Sequence, residues 1–395
     1  MNLLQVESDA GLADWRRRVR DFVDREAIPR EQAAQAHDPQ ALDAALSELR
    51  PIARAQGLYL PQLPPELGGL GLSWVQRSVV LEEAGRSHLG PGALHCAAPD
   101  QPNMISLLRL GTPAQRRAYL EPLAAGRVRS CFAMTEPAPG AGSDPSMLRT
   151  RAARRAGGGW VIEGRKWFIT GAVGAQFAIV LAQTDEGPTQ FIVDAANPGM
   201  QLLRAIPSID PHAIGGHGEL AFSGCAVDDD AVLGTVGQGL AHAQQRLEPA
   251  RLSHCMRLMG RARRALELAQ DYVNQRQSFG SRLADLQQVQ AMVADCRLDL
   301  HASRLMTLDC AARMDAGVSV KTASAMAKVF VSEALYRVAD RAAQLMGALG
   351  MSEDTPVALI LRELRPFRIY DGASELHRAT LGRRFLSTPM NGDMP

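Results

Sequence analysis

The sequence predicts a mainly α-helical chain with a central β-domain. Three observations carry that expectation. Apolar residues recur at helical spacing up to about residue 129, short β-type runs between turn residues replace them up to about residue 233, and the helical period then returns and persists. The expected domains are an N-terminal helical domain at 1–129, a middle antiparallel β-barrel at 130–233 and a C-terminal four-helix bundle at 234–395.

In the first region Leu12, Trp15, Val19 and Phe22 form one apolar stripe of a helix. A second helix is expected across Leu42 to Gln56, ended by Gly57. The proline- and glycine-rich stretch from Pro61 to Gly69 is a loop, after which Trp74 to Ser87 and Gln101 to Leu110 look helical again. In the middle region the strand candidates are Arg149 to Arg155, Trp160 to Glu163, Trp167 to Thr170, Phe177 to Gln183, Thr189 to Asp194 and Glu219 to Val227. Gly157-Gly158-Gly159 connects two of them as a hairpin. In the third region Leu252, Cys255, Met259, Ala262, Leu266, Ala269 and Val273 make one helical stripe. Val289, Val293, Cys296 and Leu300 begin another, and Met326, Val329, Tyr336 and Ala339 belong to a third helix.

The 395 residues suffice for two or three domains with sizeable cores. With 46% hydrophobic and 22% charged residues the chain is globular rather than disordered. A formal net charge of +1 argues against a nucleic-acid binder, which carries a basic face. The basic runs Arg16-Arg17-Arg18 and Arg261 to Arg264 read as solvated helix faces. Cys96, Cys131, Cys225, Cys255, Cys296 and Cys310 form no Cys-x-x-Cys pair and read as buried, reduced thiols. No secretory pattern opens the chain and no apolar run approaches about 18 residues, so no membrane span is expected and a cytoplasmic location follows by default. No histidine pair has metal-ligand spacing; His212 and His217 come nearest, and no metal is expected. No Gly-x-Ser-x-Gly marks a serine hydrolase.

Three segments can carry chemistry. Thr135 to Asp144 holds glycines, hydroxyls and amides suited to a flavin ring or a pyrophosphate, and alone reads as a surface loop after a strand. In Trp167-Phe168-Ile169-Thr170 an aromatic can cover a conjugated ring while a threonine two places on shares its side of the strand; alone, this is a half-buried strand. Asp371, between Tyr370 and Gly372, is a carboxylate in apolar surroundings, suited to a general base; alone, it is an Asp-Gly turn. Outside these three segments, Arg276 is suited to pairing with a phosphate, or is a solvated helix-end side chain.

In this order the segments resemble the acyl-CoA dehydrogenase family from about residue 10 to residue 388. The resemblance implies an acyl-CoA dehydrogenase-like fold and FAD. Met134, Thr135, Gly142 and Ser143 match the flavin peptide, with Thr135 on the isoalloxazine and Ser143 also where the substrate's pantetheine passes. Here the loop is two residues longer, through Ala138-Pro139. Phe168 and Thr170 match the aromatic and threonine beside the flavin; Trp167, one place earlier, is expected on the other side of the strand. Arg276, Phe279, Gln287, Gln344, Gly347 and Ala348 resemble segments that hold the FAD of a neighbouring subunit, and Ala373 and Glu375 belong to the cofactor set. A homo-oligomer, dimer or tetramer, is therefore implied. Glu248, Arg251 and Gly372 match substrate-facing positions.

Asp371 falls where most members place the catalytic glutamate. The alternative position for a base, on the helix before Arg251, is Ala250 here. Aspartate resembles a subset that includes long-chain acyl-CoA dehydrogenases, and also the related nitroalkane oxidases. The implied reaction is α,β-dehydrogenation of an acyl-CoA to the trans-2-enoyl-CoA in fatty acid β-oxidation. Asp371 takes the α-proton, a hydride passes to flavin N5, and an electron-transfer flavoprotein accepts the electrons. Two alternatives stand beside it: a flavin oxidase of a small carbon acid such as a nitroalkane, told by oxygen uptake without an acceptor, and a non-catalytic member, told by lack of FAD.

Overall fold

The computed structural model describes residues 8–32, 39–210 and 214–387. Its main helices are α1 (Ala10–Phe22), α2 (Pro39–Ala55), α3 (Trp74–Ala84), α4 (Asp100–Leu110), α5 (Gly239–Gln275), α6 (Gln287–Asp315), α7 (Lys321–Met346), α8 (Val357–Leu364) and α9 (Ser374–Ser387). The strands are β1 (Ser130–Ala133), β2 (Arg151–Arg154), β3 (Trp160–Thr170), β4 (Phe177–Thr184), β5 (Gly187–Asp194), β6 (Met200–Ala205), β7 (His217–Val227), β8 (Gln277–Ser278) and β9 (Ser281–Arg282). Two compact units result. One is helical and combines Met1–Gln32, Leu72–Pro91 and Arg251–Pro395; the other holds the sheet and combines Ala33–Gly71 and Gly92–Ala250.

In the helical unit, the predicted stripe of α5 is buried along its whole length, from Leu252 through Cys255, Met259, Ala262, Leu266 and Ala269 to Val273. It packs with Cys296 and Leu300 of α6, Val331, Leu335 and Val338 of α7, and Ile360 and Leu364 of α8. The four residues expected in a third helix all lie on α7; its buried face holds Lys328, Val331, Leu335, Val338, Ala339 and Ala342, and Met326, Val329 and Tyr336 flank it. Many alanines fill that face, and small residues give little periodic signal. α3 begins with a capping box of Ser73 and Gln76. The carboxylate of Asp315, the last residue of α6, also accepts from the Trp74 and Val75 amides at 2.7 and 3.0 Å. α3 stops at Ala84 rather than Ser87 because Gly85 caps it, and the backbone there is crowded. A Cβ on Gly85 would lie 1.9 Å from the Arg257 carbonyl oxygen, and one on Gly260 would lie 2.0 Å from that of Glu82. The two helices cross backbone to backbone on this glycine pair.

The arginine run on α5 is not a solvated face. Arg261 reaches Glu363 at 3.0 Å, Arg263 reaches Glu82 and Glu83 at 2.8 and 2.6 Å, and Arg264 reaches Glu31 at 2.8 Å. A guanidinium carried into a packed unit persists only where carboxylates meet it, and here they come from distant parts of the chain. Arg17 does stay exposed, paired with Asp14. All six cysteines are free and buried, as expected.

In the other unit, seven strands form one sheet in the order β1-β4-β2-β3-β7-β6, with β5 on β4. Pairing is antiparallel except at β4, which runs parallel to β1 and to the end of β2. The glycine connection joins β2 to β3 as a hairpin, as expected. The two strands expected around residues 160–170 are one strand, with register irregularities at Ile162/Gly164 and Lys166/Ile169. β1 and β6 were not foreseen. β1 has four residues, and β6 is an exposed edge strand whose Leu202 and Leu203 break any alternation. Inside the sheet Trp160 meets the Phe191 ring edge-on at 5.4 Å.

Candidate active site

The segment after β1 is tied to β3 by a two-way link. The Thr135 hydroxyl donates to the Trp167 carbonyl at 2.8 Å, and the Trp167 amide donates to the Thr135 carbonyl at 3.1 Å. Beneath it lies a buried ion pair, Lys166 Nζ to Glu136 Oε1 at 2.9 Å. Lys166 also donates to the Met134 carbonyl at 2.9 Å. The Glu136 carboxylate accepts from the backbone amides of Ala141, Arg149 and Thr150 at 3.1, 2.8 and 2.8 Å. Burial works against its ionisation, but the Lys166 ammonium and the Thr150 bonds prevail and hold it down to about 2. Burial in turn pushes Lys166 down to about 8, against the pull of Glu136.

This anchor absorbs the two extra loop residues. The Gly140 amide donates to the Pro137 carbonyl at 2.8 Å and the Glu136 amide to that of Ala141 at 2.7 Å, so Ala138-Pro139 sit in a side turn. The chain beyond is exposed at Gly142 and Ser143. Phe168 has φ +50° within the second irregularity of β3 and is 47% exposed. Lys166 and Ile169 are buried while Trp167 and Phe168 between them are not, so strand alternation fails here. The Trp167 and Phe168 rings lie edge-on at 5.0 Å, and the Trp167 backbone carbonyl accepts from Thr135. Thr170 bonds His217 Nδ1 at 3.0 Å, and His217 Nε2 contacts Asp210 at 3.1 Å. His212 lies outside the described residues. Among the described residues no group of three or more His, Cys, Asp or Glu is arranged to hold a metal, and no helix is long and apolar enough to cross a membrane.

In the helical unit, Asp371 lies on the turn between α8 and α9 with φ +56°, a conformation aspartate tolerates. Its carbonyl accepts from Arg251 Nε at 2.8 Å and from His377 Nε2 at 3.1 Å. The next carbonyl, of Gly372, accepts from Lys328 Nζ at 2.7 Å. Gly372 has φ +97°, and a Cβ there would lie 2.5 Å from His377 Nε2. The carboxylate Oδ2 faces His254 Nδ1 at 3.0 Å, with both side chains largely covered. The His254 ring packs on Tyr370 and Phe367 at 4.9 and 5.9 Å. Burial pushes Lys328 down to about 8 against the pull of Asp371, and lowers His377.

Of the other candidates, Arg251, Ala373 and Glu375 adjoin the Asp371 turn. Glu248 precedes Arg251 by one turn of α5, and Arg251 is buried. Arg276, Gln287, Gln344, Gly347, Ala348 and Glu375 are exposed, and Ala373 is partly so. Phe279 is 97% exposed at the turn of the β8–β9 hairpin. Sequence reasoning missed Lys166, His254, Lys328 and His377. The one signal available was His254 standing one helical turn beyond Arg251, on the same face of α5.

The chain matches known proteins in three stretches. Residues 12–127 match the acyl-CoA dehydrogenase N-terminal domain, 131–225 the middle domain and 237–386 the C-terminal domain. The protein belongs to the acyl-CoA dehydrogenase family, a family of oxidoreductases. It is 34% identical over 392 residues to a probable acyl-CoA dehydrogenase of Mycobacterium tuberculosis, covering 95% of each chain. It is 35% identical over 351 residues to acyl-CoA dehydrogenase family member 11 of Gallus gallus, covering 86% of this chain and 44% of that protein. The chain thus spans less than half the length of that relative. A putative acyl-CoA dehydrogenase structure from Mycobacterium abscessus superimposes with TM-score 0.89 at 33% identity, covering 96% of this chain and 98% of that one. A glutaryl-CoA dehydrogenase of Mycobacterium smegmatis in complex with FADH2 superimposes with TM-score 0.85 at 25% identity, covering 96% and 95%.

Proposed function

We propose that the protein is an FAD-dependent dehydrogenase that converts an acyl-CoA thioester to its trans-2-enoyl-CoA, with Asp371 as the α-proton base. The observation that carries this reading is the Asp371 turn, a carboxylate presented on a positive-φ residue and clamped through its peptide by Arg251 and His377. The residues present also fit FAD. An exposed phenyl ring at Phe168 suits a planar conjugated ring, and Gly142 has open space where a side chain would stand. Met134, Thr135, Gly142, Ser143, Phe168 and Thr170 would hold the cofactor, Arg276, Phe279, Gln287, Gln344, Gly347 and Ala348 of a neighbouring subunit would complete its site, and Ala373 and Glu375 belong to the same cofactor set. When bound, FAD supplies the acceptor for the β-hydrogen, taken as hydride at N5.

This chain's residues do the rest. Asp371 takes the α-proton onto a carboxylate oxygen, and the electron pair of the broken Cα–H bond stays with the substrate. The thioester oxygen gains negative charge, which the Asp371 amide stabilises by about 3 kcal/mol, as one oriented donor does. Ser143, Glu248, Arg251 and Gly372 contact the acyl-CoA. An electron-transfer flavoprotein reoxidises the enzyme, and β-oxidation in the cytoplasm is the setting. The functional divisions are residues 1–129, 130–233 and 234–395, supported by the three family matches.

Asp371→Asn tests the core of this reading. The variant should purify yellow, with FAD bound, and reduce about 10²–10⁴-fold more slowly with any acyl-CoA that bleaches the parent. Bleaching at the parental rate removes Asp371 from the mechanism.

A further inference from the structure

Thr170 and His217 stand opposite one another on β3 and β7, just past the second irregularity of β3. Cross-strand partners on one face bring their side chains within reach of each other. Thr170 Oγ1 lies 3.0 Å from His217 Nδ1, and His217 Nε2 lies 3.1 Å from both carboxylate oxygens of Asp210. The imidazole also adjoins the Phe168 ring, at 6.1 Å between centroids. One histidine therefore touches both of the β3 side chains that are expected to meet the cofactor, and the reaction above does not use it. The His217 and Asp210 side chains are largely covered, at 13% and 15% exposure.

The direction of each bond follows from the charge on Asp210. Burial works against its ionisation, but the bonds from His217 and from the Ser208 hydroxyl outweigh burial and hold the carboxyl below its ordinary range. An ionised carboxylate only accepts hydrogen bonds, so Nε2 carries the imidazole proton. In a neutral imidazole Nδ1 is then an acceptor, and the group it faces is a hydroxyl, which donates its O–H. A hydroxyl has one hydrogen. With that hydrogen spent on His217, the Thr170 oxygen has only lone pairs left for another partner.

We propose that Asp210 and His217 are positioning residues for Thr170: they fix its hydroxyl hydrogen on His217 Nδ1 and so present the Thr170 oxygen to the cofactor as an acceptor only. This rests on Thr170 meeting FAD. An isoalloxazine ring gains N–H donors when it is reduced. An oxygen fixed as an acceptor therefore holds reduced FAD more firmly than oxidised FAD. A hydroxyl free to rotate would donate to the oxidised ring and accept from the reduced one, and the preference would vanish. The backbone keeps the histidine in place: the Ile206 amide donates to the His217 carbonyl at 2.7 Å, and the Gly171 amide to that of Gly216 at 2.8 Å.

The test begins with the histidine ring nitrogens, read by nitrogen NMR at about pH 8, above the ordinary histidine range. The parent should show one neutral tautomer at His217, protonated at Nε2 and bare at Nδ1, with or without FAD. A proton on Nδ1 overturns the proposal. Asp210→Ala should lose that single tautomer, and an unchanged one overturns the relay. FAD-loaded protein is then equilibrated with a reference dye of known potential. Thr170→Val and His217→Phe should each lower the ratio of reduced to oxidised FAD about tenfold, as the loss of one hydrogen bond does, or about 30 mV for a two-electron couple. Because His217 acts through Thr170, the double variant should stay within about twofold of Thr170→Val alone. A His217→Phe ratio within about twofold of the parent overturns the proposal, as do additive effects in the double variant. If Thr170→Val shifts the ratio and His217→Phe does not, Thr170 remains a cofactor residue and only this inference falls. If neither shifts it, the reading of Thr170 as a cofactor residue falls as well. If His217→Phe fails to fold or to load FAD, Asp210→Ala takes its place in the same cycle.

Discussion

At the scale of single residues, the loop that presents Thr135 and Ser143 depends on one buried pair. Lys166 and Glu136 are both almost wholly covered. Removing one charge strands the other in a dry site, at a cost of about 3–5 kcal/mol. We expect Glu136→Gln to lower the melting temperature and weaken FAD binding, read by calorimetry and flavin release. The pH dependence follows from the direction of the shift. Glu136 is held at about 2 against an ordinary 4.5, so its contribution is complete above pH 4.5 and is lost as pH falls toward 2. The gap between parent and Glu136→Gln should therefore hold at pH 6 and narrow across that acid window. A gap independent of pH would show that the amide bonds, not the charge, anchor the loop. The motif residues themselves were legible because their types are chemically narrow. Their supports were not: Lys166 reads as an ordinary strand lysine until its Nζ is found among Glu136 and the Met134 carbonyl.

Elements were legible where one face is apolar and the other polar. α5 satisfied this for its stripe and misled for its arginines, because sequence cannot report that carboxylates of α3 and of Glu31 would surround them. Strand β3 failed differently. Its bulge breaks the two-residue period on which a sequence argument for one face depends. The α3–α5 crossing was not read from the sequence, because a glycine within a helix does not name the backbone it meets. Gly260→Ala would push a methyl group into the Glu82 carbonyl, a backbone atom that cannot swing aside. It should destabilise the protein by about 1–3 kcal/mol or separate the two helices, measured by thermal unfolding. An unchanged melting temperature would mean the crossing relaxes freely.

For the whole molecule, the three-part order of helices, strands and helices was readable from periodicity, but the interleaving of two compact units was not. Periodicity reports what each stretch buries, never which stretch it buries against. The exposed set Arg276, Phe279, Gln287 and Gln344 makes a claim at this scale about assembly. If FAD is completed across subunits, stripping it should both lower the melting temperature, by mass action, and shift the protein toward smaller species in sedimentation. Restoring FAD should reverse both. Apoprotein that sediments as the holoprotein does would separate cofactor binding from assembly.

The interleaving also sets an order of events during synthesis. The sheet unit ends at Ala250, so all of its chain has emerged while the last helices are still being made. The first 32 residues and α3 belong to the other unit and must wait. During that interval Glu82 and Glu83 on α3 lack the arginines of α5 and α6 that later surround them. Glu83 already has Arg20 of α1 at 3.0 Å in that interval, so the later helices complete its pairing rather than begin it. The arrival of Arg263 and Arg304 then provides the partner charges that let α3 be buried.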